Sequence, residues 1–175
     1  MSVHLVDIAT RVLLADPSAS LGDVAKAAGI GRTTLHKRYP TRQDLVVALA
    51  DSALDVVDEA VADVDLTRPT REVLDDLVAK LVPLGPRLEF LLRFPGLEQD
   101  PRVAERLDRM DQPFLAFVAT GQQQGQLRAD LPAWWVLHTF YGVIFTAWEA
   151  IAAGRLAPLD APRLVLTTFL EGVRP

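Results

Sequence analysis

The stretch "AKAAGIGRTTLHKRYP", Ala25 to Pro40, sets two glycines, Gly29 and Gly31, where a continuous helix favours none, and gathers Arg32, Lys37 and Arg38 beside them. The pattern predicts two short helices meeting at a glycine turn. Close crossing needs a small residue on the first helix, here Ala25. It needs glycine four residues later, because Gly29 can take the left-handed conformation without steric cost. It also needs apolar anchors, Ile30 after the turn and Leu35 on the second helix. This Ala-x3-Gly-x5-Leu spacing is the helix-turn-helix signature, whose second helix enters the major groove. A packed helical hairpin of another purpose produces the same spacing.

The second helix discriminates further. With Leu35 and Tyr39 inward at i and i+4, the outward set is Arg32, Thr33, His36 and Lys37, with Thr34 at the edge. Arg and Lys match guanine O6 and N7, and a Thr methyl suits thymine. Arg38 and Arg42 flank the face and are placed to grip phosphates. Ser20 and Thr41 stand at predicted helix starts, where backbone N–H groups also bind phosphate. The bland alternative, a solvated basic face, must explain why no acid lies between Arg32 and Arg42.

Working outward, Leu5, Ile8, Ala9 and Val12 mark a first helix ending near Asp16-Pro17. Ser20 opens the second, and Pro40 breaks the third before Thr41 starts a long fourth helix to about Asp65. "DLTRPTRE", Asp65 to Glu72, reads as a linker. Helical spacing then recurs over about 70–83, 86–94, 101–123, 132–153 and 160–172. The expected fold class is all-α, about nine helices. Residues 1–48 form a small three-helix bundle that carries the helix-turn-helix, 41–65 a linking helix, and 66–175 a larger helical domain, to which the family resemblance given below assigns effector binding and dimerisation.

Charge agrees with the division. Residues 1–50 carry six Lys and Arg against four Asp, a formal +2, so the rest carries −7 of the total of −5. Such asymmetry points to an anionic partner for the basic part. Half of the chain is apolar, which argues against disorder, and no Cys is present, which excludes disulfides and thiolate metal sites. The start, "MSVHLVDIATRVLL", carries Asp7 and Arg11 and does not read as a secretory signal. "WWVLHTFYGVIFTAWEAIAAG", Trp134 to Gly154, has the length of a membrane span but contains His138 and Glu149. It reads better as a helix buried between protein surfaces. Partners are therefore DNA and not a membrane, and the expected location is the cytoplasm.

An enzyme finds little support. His4, His36 and His138 are too scattered for metal spacing, and "GIGRTT" lacks the strand and third glycine of a nucleotide-binding fingerprint. No cofactor is expected. A helical small-molecule-binding protein without sequence-specific DNA binding is the nearer alternative.

"SLGDVAKAAGIGRTTLHKRYPTRQDL" resembles the DNA-binding segment of the tetracycline-repressor (TetR) family of transcription regulators. Ser20, Val24-Ala25, Ala28-Gly29-Ile30, Thr34-Leu35, Tyr39-Pro40 and Thr41-Arg42 fall in register over about residues 5–60. The resemblance implies a homodimer on a palindromic operator, released when a small effector enters the C-terminal domain. By position, Ser20, Thr34, His36 and Arg42 would contact the DNA backbone, while Arg32, Thr33 and Lys37 would read bases. Three departures stand out. Gly31 replaces the usual Ser, His36 replaces the usual Tyr, and "ADPSAS" is a short loop with no basic arm before the first helix. The family's last two helices form its dimer face, which here nominates Trp134, Trp135, Phe145 and Trp148 with Leu164, Thr167, Thr168 and Leu170. The effector pocket is expected among Phe90, Leu91, Phe94, Met110, Phe114, Phe117, His138, Tyr141 and Glu149; ordinary core packing is the other reading of each.

Overall fold

The computed structural model describes residues 3–173, so the ends of the expected domains, residues 1–2 and 174–175, lie outside the described residues. Nine α-helices and three short 3-10 turns, without strands, make up the described residues. The helices are α1 (Val3–Ala15), α2 (Leu21–Ala27), α3 (Arg32–Arg38), α4 (Arg42–Val61), α5 (Thr70–Leu81), α6 (Gly85–Arg93), α7 (Pro101–Gln123), α8 (Ala133–Ala152) and α9 (Ala161–Val173).

The predicted helices all form, and the boundaries that differ have local causes. α4 stops at Val61 rather than near Asp65 because the Asp65 carboxylate accepts from the Thr67 amide (2.9 Å) and hydroxyl (2.6 Å). An Asp side chain that closes its own turn competes with helix continuation. Conversely, α7 runs through Pro113, which has no N–H to give to the preceding turn.

Two compact units result. The first comprises residues 1–56 and 86–107, the second 57–85 and 108–175. The expected boundary near residue 66 therefore does not follow the packing, because α6 and the start of α7 join the N-terminal helices. In the first unit, Leu5, Ala9 and Leu13 of α1, Val24 and Ala25 of α2, Leu35 of α3 and Leu45 and Leu49 of α4 share one core. Phe90, Phe94, Leu97 and Val103 complete it. Phe90 and Phe94 stack with ring centroids 4.8 Å apart.

In the second unit α8 packs along α9, and Val136, Leu137, Phe140, Ile144 and Ala147 of α8 and Val165, Leu166, Phe169 and Leu170 of α9 are buried. The Phe140 and Phe169 rings are 5.0 Å apart. Gly85 admits the Trp148 indole so closely that a Cβ there would fall inside the ring. Gly85→Ala is accordingly expected to displace a bulky ring and cost about 1–3 kcal/mol. The urea midpoint should fall and tryptophan emission should shift together.

Candidate nucleic-acid interface

Two reciprocal caps hold the helix-turn-helix. Ser20 accepts from the Asp23 amide (3.2 Å), while the Asp23 carboxylate accepts from the Ser20 amide (2.8 Å) and hydroxyl (2.6 Å). Thr41 and Asp44 repeat the arrangement at the start of α4, at 3.1, 2.9 and 2.7 Å. The hydrogen bonds from Ser20 and Thr41 hold both carboxyls below the usual carboxylate range. Neither acid was anticipated from the sequence, although Ser-x-x-Asp and Thr-x-x-Asp are capping-box spacings. They change the expectation for Ser20 and Thr41. Each helix start already holds its own anion, so neither is an open phosphate cradle.

The caps also predict an acid response. A carboxyl whose folded value is depressed stabilises the fold above its unfolded value of about 3.9, and that contribution is lost as pH falls through the folded value. Asp23→Asn with Asp44→Asn should therefore show a shallower fall in melting temperature below about pH 4 than the parent chain. Some fall will persist, because Asp16 and Asp100 are depressed in the same way.

Between the caps, Gly29 adopts φ +65°, and the Ile30 amide donates to the Ala25 carbonyl at 3.0 Å, closing α2. α3 then starts at Gly31, which supplies no side-chain cap and is followed by no acid in the first turn. Leu35 (1% exposed) and Tyr39 anchor α3 inward, and Ile30 packs against the same core. Arg32, Thr33, Thr34, His36 and Lys37 are all exposed. None of these five side chains has a hydrogen bond or ion pair among the described residues. Arg38 sits 5.8 Å from the Tyr39 ring centroid, beside the face.

Arg42 departs from its expected role. Its Nε donates to the Ala19 carbonyl at 3.0 Å, its terminal nitrogen donates to the Pro17 carbonyl, and its guanidinium lies 5.7 Å from the Phe94 ring. Two of its donors thus tie the α1–α2 loop to α4 within the first unit instead of being free for phosphate.

The second unit divides the remaining expected residues. Phe114 and Phe117 line a small apolar cavity with Leu74, Leu77, Phe140 and Phe169, about 10 Å³ in free volume. Met110 is half-buried on α7, and Glu149 is on the exposed side of α8. Phe90, Leu91 and Phe94 correct the expected pocket: they belong to the core of the first unit or pack against it. His138 and Tyr141 instead converge on Asp111, which the sequence did not nominate. Tyr141 donates to its carboxylate at 3.0 Å, and His138 Nε2 lies 3.3 Å away. Burial pushes the Asp111 carboxyl up, against the opposing pull of Tyr141 and His138, and burial likewise pushes the Tyr141 hydroxyl up.

Among the dimer candidates, Trp135 is 53% exposed and Leu164 39%. Trp134, Thr167 and Thr168 are exposed too, whereas Phe145 and Trp148 are half-buried. Trp148 packs on Gly85 of its own chain, and Leu170 is buried, so both serve the protomer. Among the described residues no group of three or more His, Asp or Glu is arranged to hold a metal, and no helix is long and apolar enough to cross a membrane.

No family model matches the chain. It is 33% identical over 172 residues to the HTH-type transcriptional repressor LfrR of Mycolicibacterium smegmatis, covering 97% of this chain and 88% of that protein. It is 29% identical over 163 residues to the HTH-type transcriptional regulator NfxB of Pseudomonas aeruginosa, covering 89% and 85%. The crystal structure of the TetR-like regulator LfrR in complex with proflavine superposes with a TM-score of 0.77 at 29% identity, covering 98% of this chain and 95% of that one.

Proposed function

The chain belongs to the TetR-like family of helix-turn-helix transcription regulators, and from that membership we propose that it is a homodimeric repressor whose α3 reads a palindromic operator. One observation carries the reading: Arg32, Thr33, His36 and Lys37 stand exposed, without a side-chain partner among the described residues, on a short helix that Leu35 and Tyr39 fix to the core. Donors held on a rigid helix are what major-groove readout requires. Arg32, Thr33 and Lys37 take the base edges. Thr34, His36 and Arg38 take the backbone beside them. The regulator acts where the DNA is, in the cytoplasm.

Two copies meet through the exposed faces of α8 and α9, on which Trp135, Leu164 and Thr168 stand exposed. Aromatic and aliphatic groups at the centre of a patch suit a homodimer. Trp135→Asp with Leu164→Asp should convert the dimer to monomer in sedimentation at micromolar concentration, with helical content unchanged.

The effector belongs to the second unit. LfrR was solved with proflavine, a planar aromatic cation, and that class is the first to try here. The second unit offers the aromatic side chains Phe114, Phe117, Phe140 and Phe169 around the cavity and, apart from it, the half-buried Asp111 beside Tyr141 and His138. The cavity has a free volume of only about 10 Å³, so a ligand of that size enters only a more open state. An effector releases the operator to the extent that it prefers the state with weaker DNA affinity.

The test is selection of bound duplexes from a random pool at moderate salt. The reading expects an enriched palindrome whose half-sites lie about 34–36 Å apart, one helical turn, or a multiple of it. Weak, salt-sensitive binding without any enriched sequence would overturn it.

A further inference from the structure

The first unit contains a groove with an unusual set of polar groups. About 290 Å³ in volume, it opens between α1 and the start of α6, lined by Asp7, Thr10, Arg11, Pro86 and Arg87. Small-molecule sites begin near this size, at about 300 Å³. Thr10 is only 6% exposed and lines the groove, and its side chain has no hydrogen bond among the described residues. The Arg87 Nε is buried and also has no partner there. A buried guanidinium donor such as the Arg87 Nε is costly to leave unsatisfied.

The charges define what fits. Among the described residues Arg87 is held by one long contact, from its terminal nitrogen to the Asp7 carboxylate at 3.3 Å. Arg11 is steadied by its Nε donating to the Asp7 carbonyl at 3.2 Å, which leaves its terminal nitrogens uncommitted among the described residues. Two guanidinium groups against one carboxylate leave a formal charge of +1. The planar fork of an arginine matches a carboxylate in two-point contact. Asp7 repels a dianion, and Pro86 provides an apolar wall. We propose that this groove binds a small organic monocarboxylate, with Arg11 and Arg87 on the carboxylate and Thr10 donating to it.

The site is independent of the reading of α3, and its test needs no DNA. Benzoate is titrated into the full chain, with benzamide as the neutral isostere and inorganic phosphate as the multiply charged competitor. Binding is followed through the backbone amide shifts of Thr10, Arg11 and Arg87. The expected result is saturable benzoate binding with benzamide at least about tenfold weaker. Arg11→Gln, an exposed change that keeps the fold, and Arg87→Gln should each weaken benzoate by about tenfold or more. Asp7→Asn should tighten it by about two- to fivefold, a gain that a purely structural Asp7–Arg87 pair does not produce. Circular dichroism checks that each variant is folded. Equal binding of benzamide, preference for phosphate, no effect of Arg11→Gln, or weakening by Asp7→Asn would each overturn the proposal, as would absence of saturation by wild-type chain at tens of millimolar benzoate.

Discussion

Phe90→Ala should destabilise the first unit by about 3–5 kcal/mol. Phe90 is 0% exposed and stacks on Phe94 in the core that α1, α2, α3 and α4 share. Its removal takes a ring out of a packed interior and leaves a cavity that the helices around it cannot fully collapse. The cost is comparable to the whole stability of many domains. Urea unfolding followed at two probes measures it. The first unit should unfold at lower urea, and the amides of α3 should lose protection from exchange at the same point. The same substitution in a residue that merely lined an open pocket would change ligand affinity with a much smaller shift in midpoint. The experiment therefore separates the two roles that an apolar residue at this position allows.

Arg32→Ala with Lys37→Ala should abolish preference for the operator while leaving the fold intact. Each direct base contact is worth about 1–3 kcal/mol of discrimination. Together the two changes should reduce operator affinity by roughly 30-fold to 10⁴-fold. Both side chains are exposed and have no partner among the described residues, so helical content and melting temperature should be unaffected. Arg42→Ala makes the contrast. Its donors hold the Pro17 and Ala19 carbonyls, so its loss should lower the melting temperature and weaken all DNA sequences alike. Binding isotherms on operator and scrambled duplexes, with thermal melts of each variant, distinguish these outcomes.

The contrast between Lys37 and Arg42 shows what the sequence made legible. Helix starts and stops near the turn were readable because their causes are local: the Ser20 and Thr41 caps, Gly29 and Pro40 each act within a few residues. The exposed face of α3 was readable for the same reason, since Leu35 and Tyr39 fix its rotation. Arg42 was not, because its partners lie 23 and 25 residues back in a loop whose shape depends on packing. The same limit applies to Phe90 and Phe94. Their apolar character announces burial but not which of two cores receives them. Asp111 escaped notice because an acid on a charged helix looks solvated until Tyr141 and His138, 30 and 27 residues later, are seen to close on it. Trp135 and Trp148 have the same side chain on one helix, yet one is open and the other covers Gly85.

The central claim, that α3 reads base identity, is tested most directly by measuring Lys37→Ala and wild-type affinities on a set of operators changed at one base pair at a time. The substitution is expected to remove about 1–3 kcal/mol on the intact operator and almost nothing on the operator altered at one position, which identifies the base pair that Lys37 contacts. Equal weakening on every duplex, with the salt slope reduced by about one, would contradict it and make Lys37 a phosphate contact alone.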